Sequence, residues 1–151
     1  MFKKFRPIPW NKFPTAKEVI DETNCLAFVL GLKKIKRSKK QYCLEMTADP
    51  IETIFLRKVR KLGFNPKKFR IITQEQEKTT NGYIIRLYGF APEEVIDEGI
   101  HYDFHLIRRE PNGTWVHKPG FRYRPRKISK DDWEMIFEKF GKRFVSFAVD
   151  T

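Results

Sequence analysis

The order of the sequence patterns predicts an α+β fold for this chain of 151 residues. Segments with helix-capping signals come first, short segments rich in β-branched and aromatic residues follow, and one more helix pattern precedes the last of them. Consecutive strands joined by short turns pair antiparallel, so helices and sheet are segregated along the chain. No repeat or linker divides the sequence, and we expect one domain over residues 15–151 behind an extended arm at residues 1–14.

The first helix is predicted directly after the arm. Three prolines and Trp10 disfavour regular structure in the arm, which we expect to lie along the surface. Thr15 and Glu18 have the spacing of a capping box, so a short helix should begin there and run to Asp21.

The second predicted helix carries a cysteine. Thr23 and Asn24 offer N-cap side chains directly before the segment CLAFVLGLKK, which places Cys25 in the first turn. Backbone N–H groups and the helix dipole favour a thiolate at that position and can face the oxyanion that forms when the thiolate attacks a carbonyl. Cys25 is therefore a candidate nucleophile. A cysteine in an apolar helix is also typical of a packed core, and that alternative stays open.

The third helix has the clearest boundary signals. Asp49 as N-cap, Pro50 at the first position and Gly63 after the end frame apolar residues at helical spacing, namely Ile51, Phe55, Val59 and Leu62.

The strand patterns follow this helix. Residues 69–73 and 79–90 favour two strands, with a polar excursion at residues 91–99. The segment HYDFHLIRR at 101–109 alternates, an Asn-Gly turn follows, and residues 114–120 return, which predicts a β-hairpin.

A late helix and a last strand complete the chain. Ser129 and Asp132 form an N-terminal capping pattern, Gly141 ends the helix, and Trp133, Ile136, Phe137 and Phe140 follow helical spacing between them. Residues 143–149 are predicted as the final strand.

The hairpin carries all three histidines of the chain. Because side chains alternate along a strand, His101, Asp103 and His105 share one face, while Trp115 and His117 share a face of the partner strand. A cysteine on an early helix and two histidines on a later hairpin can supply a nucleophile, a base and a group that orients the base.

These residues resemble a known family. The segment NCLAFV at 24–29 resembles the cysteine helix of NlpC/P60-type papain-like hydrolases. His105 and His117 stand twelve positions apart across a glycine turn, as do the two strand histidines of that family. Residues 102–120 are also similar to small bacterial and phage papain-like domains. The resemblance implies a papain-like fold, with N-terminal helices packed on an antiparallel β-sheet.

The resemblance also implies an activity. Cys25 would be the nucleophile, His105 the base and His117 the orienting residue in hydrolysis of an amide bond through a thioester, with no cofactor. The alternative assignment makes His117 the base and Asp131 or Asp132 the orienting residue. The implied substrates are a peptide, a peptidoglycan peptide or a protein.

The charge of the chain indicates an anionic partner. The sequence has 31 Lys and Arg against 19 Asp and Glu, a net charge of +12 and a pI near 9.8. Nucleic acid, an acidic wall polymer, a membrane surface and an acidic protein all fit the net charge. A non-enzymatic basic binding protein of phage or effector type, which captures nucleic acid or an acidic partner, is the alternative function. Such charge runs are also typical of solvated faces. The candidate binding residues are Lys33, Lys34, Lys36, Arg37, Lys39, Lys40, Arg122, Arg124 and Arg126.

Other classes are disfavoured. No apolar segment approaches the ~20 residues of a membrane-spanning helix. The N-terminus lacks the apolar region of a secretory signal, so we expect a cytoplasmic chain, in the host cytoplasm if it serves a phage or an effector system. Cys25 and Cys43 are too few for a disulfide framework. Ligands on one straight strand are about 6–7 Å apart at every second residue, so His101, Asp103 and His105 are not expected to hold a metal ion.

Overall fold

The structure is a computed structural model that describes residues 1–32, 44, 47, 49–89, 104–120 and 122–151. Within them the helices are α1 (Lys17–Asp21), α2 (Cys25–Val29), α3 (Ile51–Lys61), α4 (Gln74–Glu77) and α5 (Lys130–Phe140). The strands are β1 (Phe69–Ile72), β2 (Tyr83–Gly89), β3 (Phe104–Arg109), β4 (Trp115–His117), β5 (Arg126–Lys127) and β6 (Phe144–Val149). The predicted α+β class is confirmed.

Some of the sequence predictions lie outside the described residues. They concern Cys43, His101, Asp103, the polar excursion at 91–99, and the basic run with Lys33, Lys34, Lys36, Arg37, Lys39 and Lys40.

The strands form one antiparallel sheet of six, in the order β1-β6-β2-β3-β4-β5. Helices cover both faces. On one face, α2, α3 and the arm pack against the apolar side chains of the central strands, including Ile85, Leu106 and Phe147. On the other face, Ile136 and Phe140 of α5 pack against Tyr88 and Ile107. The central strands are buried on both sides as a result.

The arm contributes to the core. Phe5 and Phe13 are buried in the cluster under α2 and α3, and Lys3 forms an isolated parallel bridge with Phe64. A turn of 3-10 helix at Trp10–Lys12 interrupts the extended backbone. The arm therefore does more than lie along the surface, because its aromatic side chains fill space that the short helices leave.

Two helix starts differ from the prediction. The N-cap of α1 is Ala16 without a side-chain cap, so Thr15 does not form the expected capping box. The N-cap of α3 is Pro50, and the carboxylate of Asp49 instead accepts hydrogen bonds from Thr47 and Arg57. In both cases the helix forms as predicted because burial of its apolar face stabilises it more than a cap does.

Two small elements were not predicted. Helix α4 begins at a complete capping box between Thr73 and Gln76, a signal that the sequence contains. Strand β5 is only two residues long and pairs with β4 through Val116–Lys127 and His117–Arg126. Such a short edge strand has too little pattern to be predicted.

The hairpin prediction is confirmed for β3 and β4. The backbone N–H of Glu110 donates to the carbonyl of Thr114, and Gly113 between them has a φ of 91°, which a residue with a side chain rarely adopts. The carboxamide oxygen of Asn112 accepts from the Thr114 N–H. This turn fixes the pairing of the two strands that carry His105 and His117.

Within the described part of the chain, no helix has the length and apolar character needed to cross a membrane.

Candidate active site

Cys25 is the first residue of α2, as predicted. The side-chain oxygen of Asn24 caps the helix by accepting a hydrogen bond of 2.9 Å from the backbone N–H of Ala27. The helix has only five residues, however, so its dipole is weaker than expected from the sequence. A Cys25 thiolate in this place needs support from charged or hydrogen-bonding side chains.

The buried Arg108 on β3 holds α2 in place. Its guanidinium donates 2.9 Å hydrogen bonds to the backbone carbonyls of Phe28 and Ile8, and it pairs with Glu110 at 3.1 Å. Arg108 thus ties the end of α2 to the arm and to the hairpin. Its role is structural, because the guanidinium is fully enclosed and contacts backbone.

His105 and His117 lie on the same face of the sheet. Alternation places His105 on the face of Arg109, and Arg109 pairs with Trp115, two residues before His117. The two rings meet diagonally across β3 and β4, where Nε2 of His105 lies 2.8 Å from Nδ1 of His117. The structure therefore brings together the two histidines that the sequence singled out.

Asp132 extends this pair. Oδ2 of Asp132 lies 3.2 Å from Nε2 of His117, without the alignment of a good hydrogen bond. The carboxylate also accepts from Arg126 at 2.6 and 3.1 Å and from the backbone N–H of Ser129 at 3.1 Å. Helix α5 and strand β5 thus position one carboxylate behind the buried histidine.

The capping box of α5 explains the position of Asp132. Ser129 is the N-cap, its hydroxyl accepts from the Asp132 N–H, and the Asp132 side chain returns to the Ser129 N–H. Asp132, the third residue of the helix and part of its capping box, is therefore also the residue that contacts His117. The sequence left both Asp131 and Asp132 open as the orienting residue for His117, and Asp132 is the one that contacts it.

The chain of contacts defines the proton positions on the two rings. An ionised carboxylate only accepts, so Nε2 of His117 carries a proton toward Asp132 and its Nδ1 is an acceptor. The hydrogen bond between the rings is then donated by Nε2 of His105. In its neutral form His105 keeps its lone pair on Nδ1, the nitrogen available to take a proton.

The pKa values of the buried groups agree with this arrangement. Burial lowers the pKa of His117 below its ordinary value, against the opposing effect of Asp132. Burial would raise the pKa of Asp132, but hydrogen bonds from Arg126 and the Ser129 backbone, together with the close approach of His117, lower it well below its usual range. The carboxylate is thus ionised, and the ring of His117 is neutral, at neutral pH.

Cys25, His105 and His117 line one cavity of about 390 Å³. It lies where β3 begins, β4 ends and the last turns of α5 pass. Apolar side chains form most of the remaining described wall, and Lys139 adds a cation; the other described lining residues are Asn24, Phe104, Pro119, Gly120, Met135, Ile136 and Phe140. A larger cavity of about 570 Å³ lies between the arm and the end of β6, and the residues described along it include no cysteine or histidine.

Lys118 is a buried residue beside the candidate site that the sequence did not single out. It directly follows His117, the last residue of β4, and alternation beyond the strand end predicts its side chain on the face opposite to His117, where α2 packs. Its side chain is 0% exposed, and Nζ donates a 2.6 Å hydrogen bond to the carbonyl of Gly120. Burial lowers the pKa of Lys118 to about 8, while the charges of Asp21 and Cys25 act in the opposite direction. The signal was present, because Val116 and Lys118 share the face that packs on the core.

The predicted basic residues near the site have two different environments. Arg122 and Arg124 are exposed on the loop between β4 and β5. Arg126 is half-exposed but forms the ion pair with Asp132, so its charge is matched within the protein. Among the described residues, no group of three His, Cys, Asp or Glu side chains is arranged to hold a metal ion.

Comparison of the chain with family models, with curated proteins and with solved structures finds no match. A function for this chain therefore has to be inferred from the geometry of the site.

Proposed function

We propose that this protein is a cysteine hydrolase of papain-like type that cleaves an amide bond through a thioester on Cys25. The observation that carries the proposal is the series of contacts from His105 through His117 to Asp132, which ends in the cavity that Cys25 lines. If the histidine pair had only a structural role, nothing would require a cysteine at the same cavity. The presence of Cys25 there therefore favours a catalytic site over a structural one.

In the first half of the reaction, Nδ1 of His105 takes the proton of the Cys25 thiol. The thiolate attacks the carbonyl carbon of the substrate, and the carbonyl oxygen becomes an oxyanion. When this intermediate collapses, the C–N bond breaks, and the imidazolium of His105 gives its proton to the departing amine. The acyl group remains on the sulfur as a thioester.

In the second half, a water molecule gives a proton to Nδ1 of His105 while its oxygen attacks the thioester carbon. The C–S bond breaks, the carboxylic acid leaves, and the proton returns to the sulfur. His117 accepts the Nε2–H of His105 throughout, and Asp132 holds the tautomer of His117. Every proton taken is returned within one cycle.

The form of the cavity supports a peptide substrate. Its walls are mostly apolar, with Phe104, Ile136 and Phe140 among them, and such a wall accommodates an apolar side chain beside the scissile bond. A helix carrying the cysteine next to an antiparallel sheet carrying the histidines is also the arrangement that the sequence resemblance implies.

A library of fluorogenic peptide amides tests the proposal. The unsubstituted protein should release the fluorescent amine from a subset of peptides, and Cys25→Ala and His105→Gln should lower the rate by a factor of roughly 10² or more. Release at the same rate by Cys25→Ala, or no release by the unsubstituted protein from any peptide, would contradict it. Near-ultraviolet circular dichroism verifies that the variants are folded.

A second candidate function is capture of an anionic partner. Arg122, Tyr123 and Arg124 are all exposed on the loop that begins at the cavity residues Pro119 and Gly120. Exposed arginines beside an exposed aromatic ring suit phosphate groups and stacked bases. This loop can serve a binding protein, or it can hold an acidic substrate beside the cleavage site.

A further inference from the structure

Lys118 is buried at a place where a positive charge is costly. Lysine is almost never fully buried unless its charge is compensated, and this side chain is 0% exposed. Val116, two residues earlier on β4, is apolar and packs in the core. An uncharged side chain of similar length would fill the space without the cost of desolvation. The charge itself therefore needs an explanation.

One hydrogen bond and one electrostatic effect relate Lys118 to the site, and β4, which Lys118 directly follows, packs against α2. Nζ donates to the carbonyl of Gly120, a residue that lines the cavity. The charges of Asp21 and Cys25 both favour the ammonium form of Lys118. Because an electrostatic interaction acts equally on both partners, the ammonium favours the thiolate of Cys25 by the same free energy.

We infer that Lys118 acts through Cys25, as a buried positive charge on the α2 side of the sheet that stabilises the thiolate. The inference rests on the proposed function and adds a source of thiolate stabilisation that is separate from the histidine pair. The ammonium of Lys118 also supplements the dipole of the five-residue helix α2, which is small by itself. The ammonium neither gives nor takes a proton in the reaction.

Other described ionisable groups line the cavity or act on Lys118. His105 and His117 on the hairpin and Lys139 on α5 line the cavity, and the charge of Asp21, at the end of α1, favours the ammonium of Lys118. His117 is held neutral by burial, and the charge of His105 changes during the reaction. Lys118 differs from both histidines, because burial lowers its pKa only to about 8 and it is mostly an ammonium at neutral pH.

The pH dependence of alkylation at Cys25 tests the inference without any turnover. The rate of reaction with iodoacetamide is measured from pH 5 to 9.5 in a Cys43→Ser background, so that one thiol reports. Lys118→Met should move the midpoint upward by roughly 1 pH unit or more, with about a tenfold lower rate at pH 6. Lys118→Arg keeps the positive charge and should therefore shift the midpoint less than Lys118→Met does.

Lys67→Met is the matched control. Lys67 is exposed beside β1, at the opposite edge of the sheet, so its loss changes the net charge equally and should leave the midpoint unchanged. An equal midpoint in Lys118→Met and the parent protein would overturn the inference. Equal shifts in Lys118→Met and Lys67→Met would also overturn it, because the effect would then be one of net charge.

A measurement on the unsubstituted lysine gives an independent check. The ¹³Cε signal of Lys118 is titrated by NMR before and after Cys25 is converted to its neutral carbamidomethyl form. Removal of the thiolate should lower the midpoint of Lys118, and an unchanged midpoint would contradict the inference. If the midpoints of Cys25 and Lys118 shift as expected but the protein hydrolyses no amide, the proposed function alone is refuted. If the protein hydrolyses amides but these midpoints do not shift, this inference alone is refuted.

Discussion

Nε2 of His105 lies 2.8 Å from Nδ1 of His117, so two imidazoles stand in series between the cavity and Asp132. In a simple triad a carboxylate or amide contacts the base directly. Here the buried, neutral His117 lies between the base His105 and the carboxylate of Asp132. The carboxylate therefore acts on His105 only through His117. The two rings should therefore contribute unequally to activity.

Substitution of the two histidines separates their roles. His105→Gln should lower kcat/KM by a factor of roughly 10² to 10⁴, because it removes the base. His117→Gln should lower it by roughly 10- to 100-fold, the range for residues that orient a functional group, since a glutamine oxygen still accepts from His105. Steady-state rates on the best peptide of the library give both values. The reverse order of the two effects would assign the base to His117.

Asp132 should matter where Asp131 does not. Asp132→Asn removes the carboxylate that holds the tautomer of His117 and should lower kcat/KM by about 10- to 100-fold. Asp131→Asn makes the same charge change at the adjacent, exposed position of α5 and serves as the control. Equal losses in the two variants would indicate an effect of the helix terminus and remove Asp132 from the site.

Because His117 is buried, the free energy of unfolding should decrease as the pH falls below 6.5. Because burial lowers its pKa in the folded state, the unfolded chain binds more protons as the pH falls below the ordinary value of 6.5. Neutral, buried His117 thus contributes to the free energy of unfolding in full above pH 6.5. This contribution is lost as the pH falls from 6.5 toward the pKa of His117 in the folded state. The free energy of unfolding should fall by up to about 1.4 kcal/mol per pH unit within that window.

Urea unfolding at a series of pH values between 5 and 8 measures this slope. His117→Gln should flatten the profile between pH 6.5 and 5, whatever its effect on stability at pH 8. A profile of the same slope in the variant would show that His117 is not buried neutral in the folded protein.

Local sequence signals predicted the elements that carry the candidate site residues better than they predicted the helix ends. The Asn24 cap and the Asn-Gly turn depend on neighbouring residues only, so Cys25, His105 and His117 were found on the elements expected of them. The choice between Asp131 and Asp132 was not possible, because it depends on how α5 packs against β4. The first cap failed at Thr15 because tertiary packing, rather than capping, determines where such a short helix begins.

The sequence hints that Lys118 is unusual but does not reveal its neighbours. Alternation along β4 places it on the core face, where a lysine is rare. Asp21 and Cys25 are distant from it in sequence, and only the packing of α1 and α2 on the sheet brings their charges near it.

Salt should distinguish capture of an anionic partner from cleavage. The logarithm of the affinity for a nucleic acid should fall linearly with the logarithm of salt concentration, and reversal of Arg122 and Arg124 to Glu should weaken binding and flatten the slope. Reversal of Arg60 and Lys61, at the end of α3, makes the same change in net charge on the other face of the sheet. Equal losses in the two double variants would show that binding follows net charge rather than the loop.

Whether Cys25 is a nucleophile can be read directly from an acyl group on its sulfur, detected by intact-mass and peptide-mapping mass spectrometry after brief mixing with an activated ester. We expect one acyl group per protein on Cys25, labile to hydroxylamine as a thioester is, retained in Cys43→Ser and absent in Cys25→Ser. His105→Gln should acylate much more slowly. Acylation at lysines only, or an equal yield of adduct in Cys25→Ser, would contradict a thioester mechanism on Cys25.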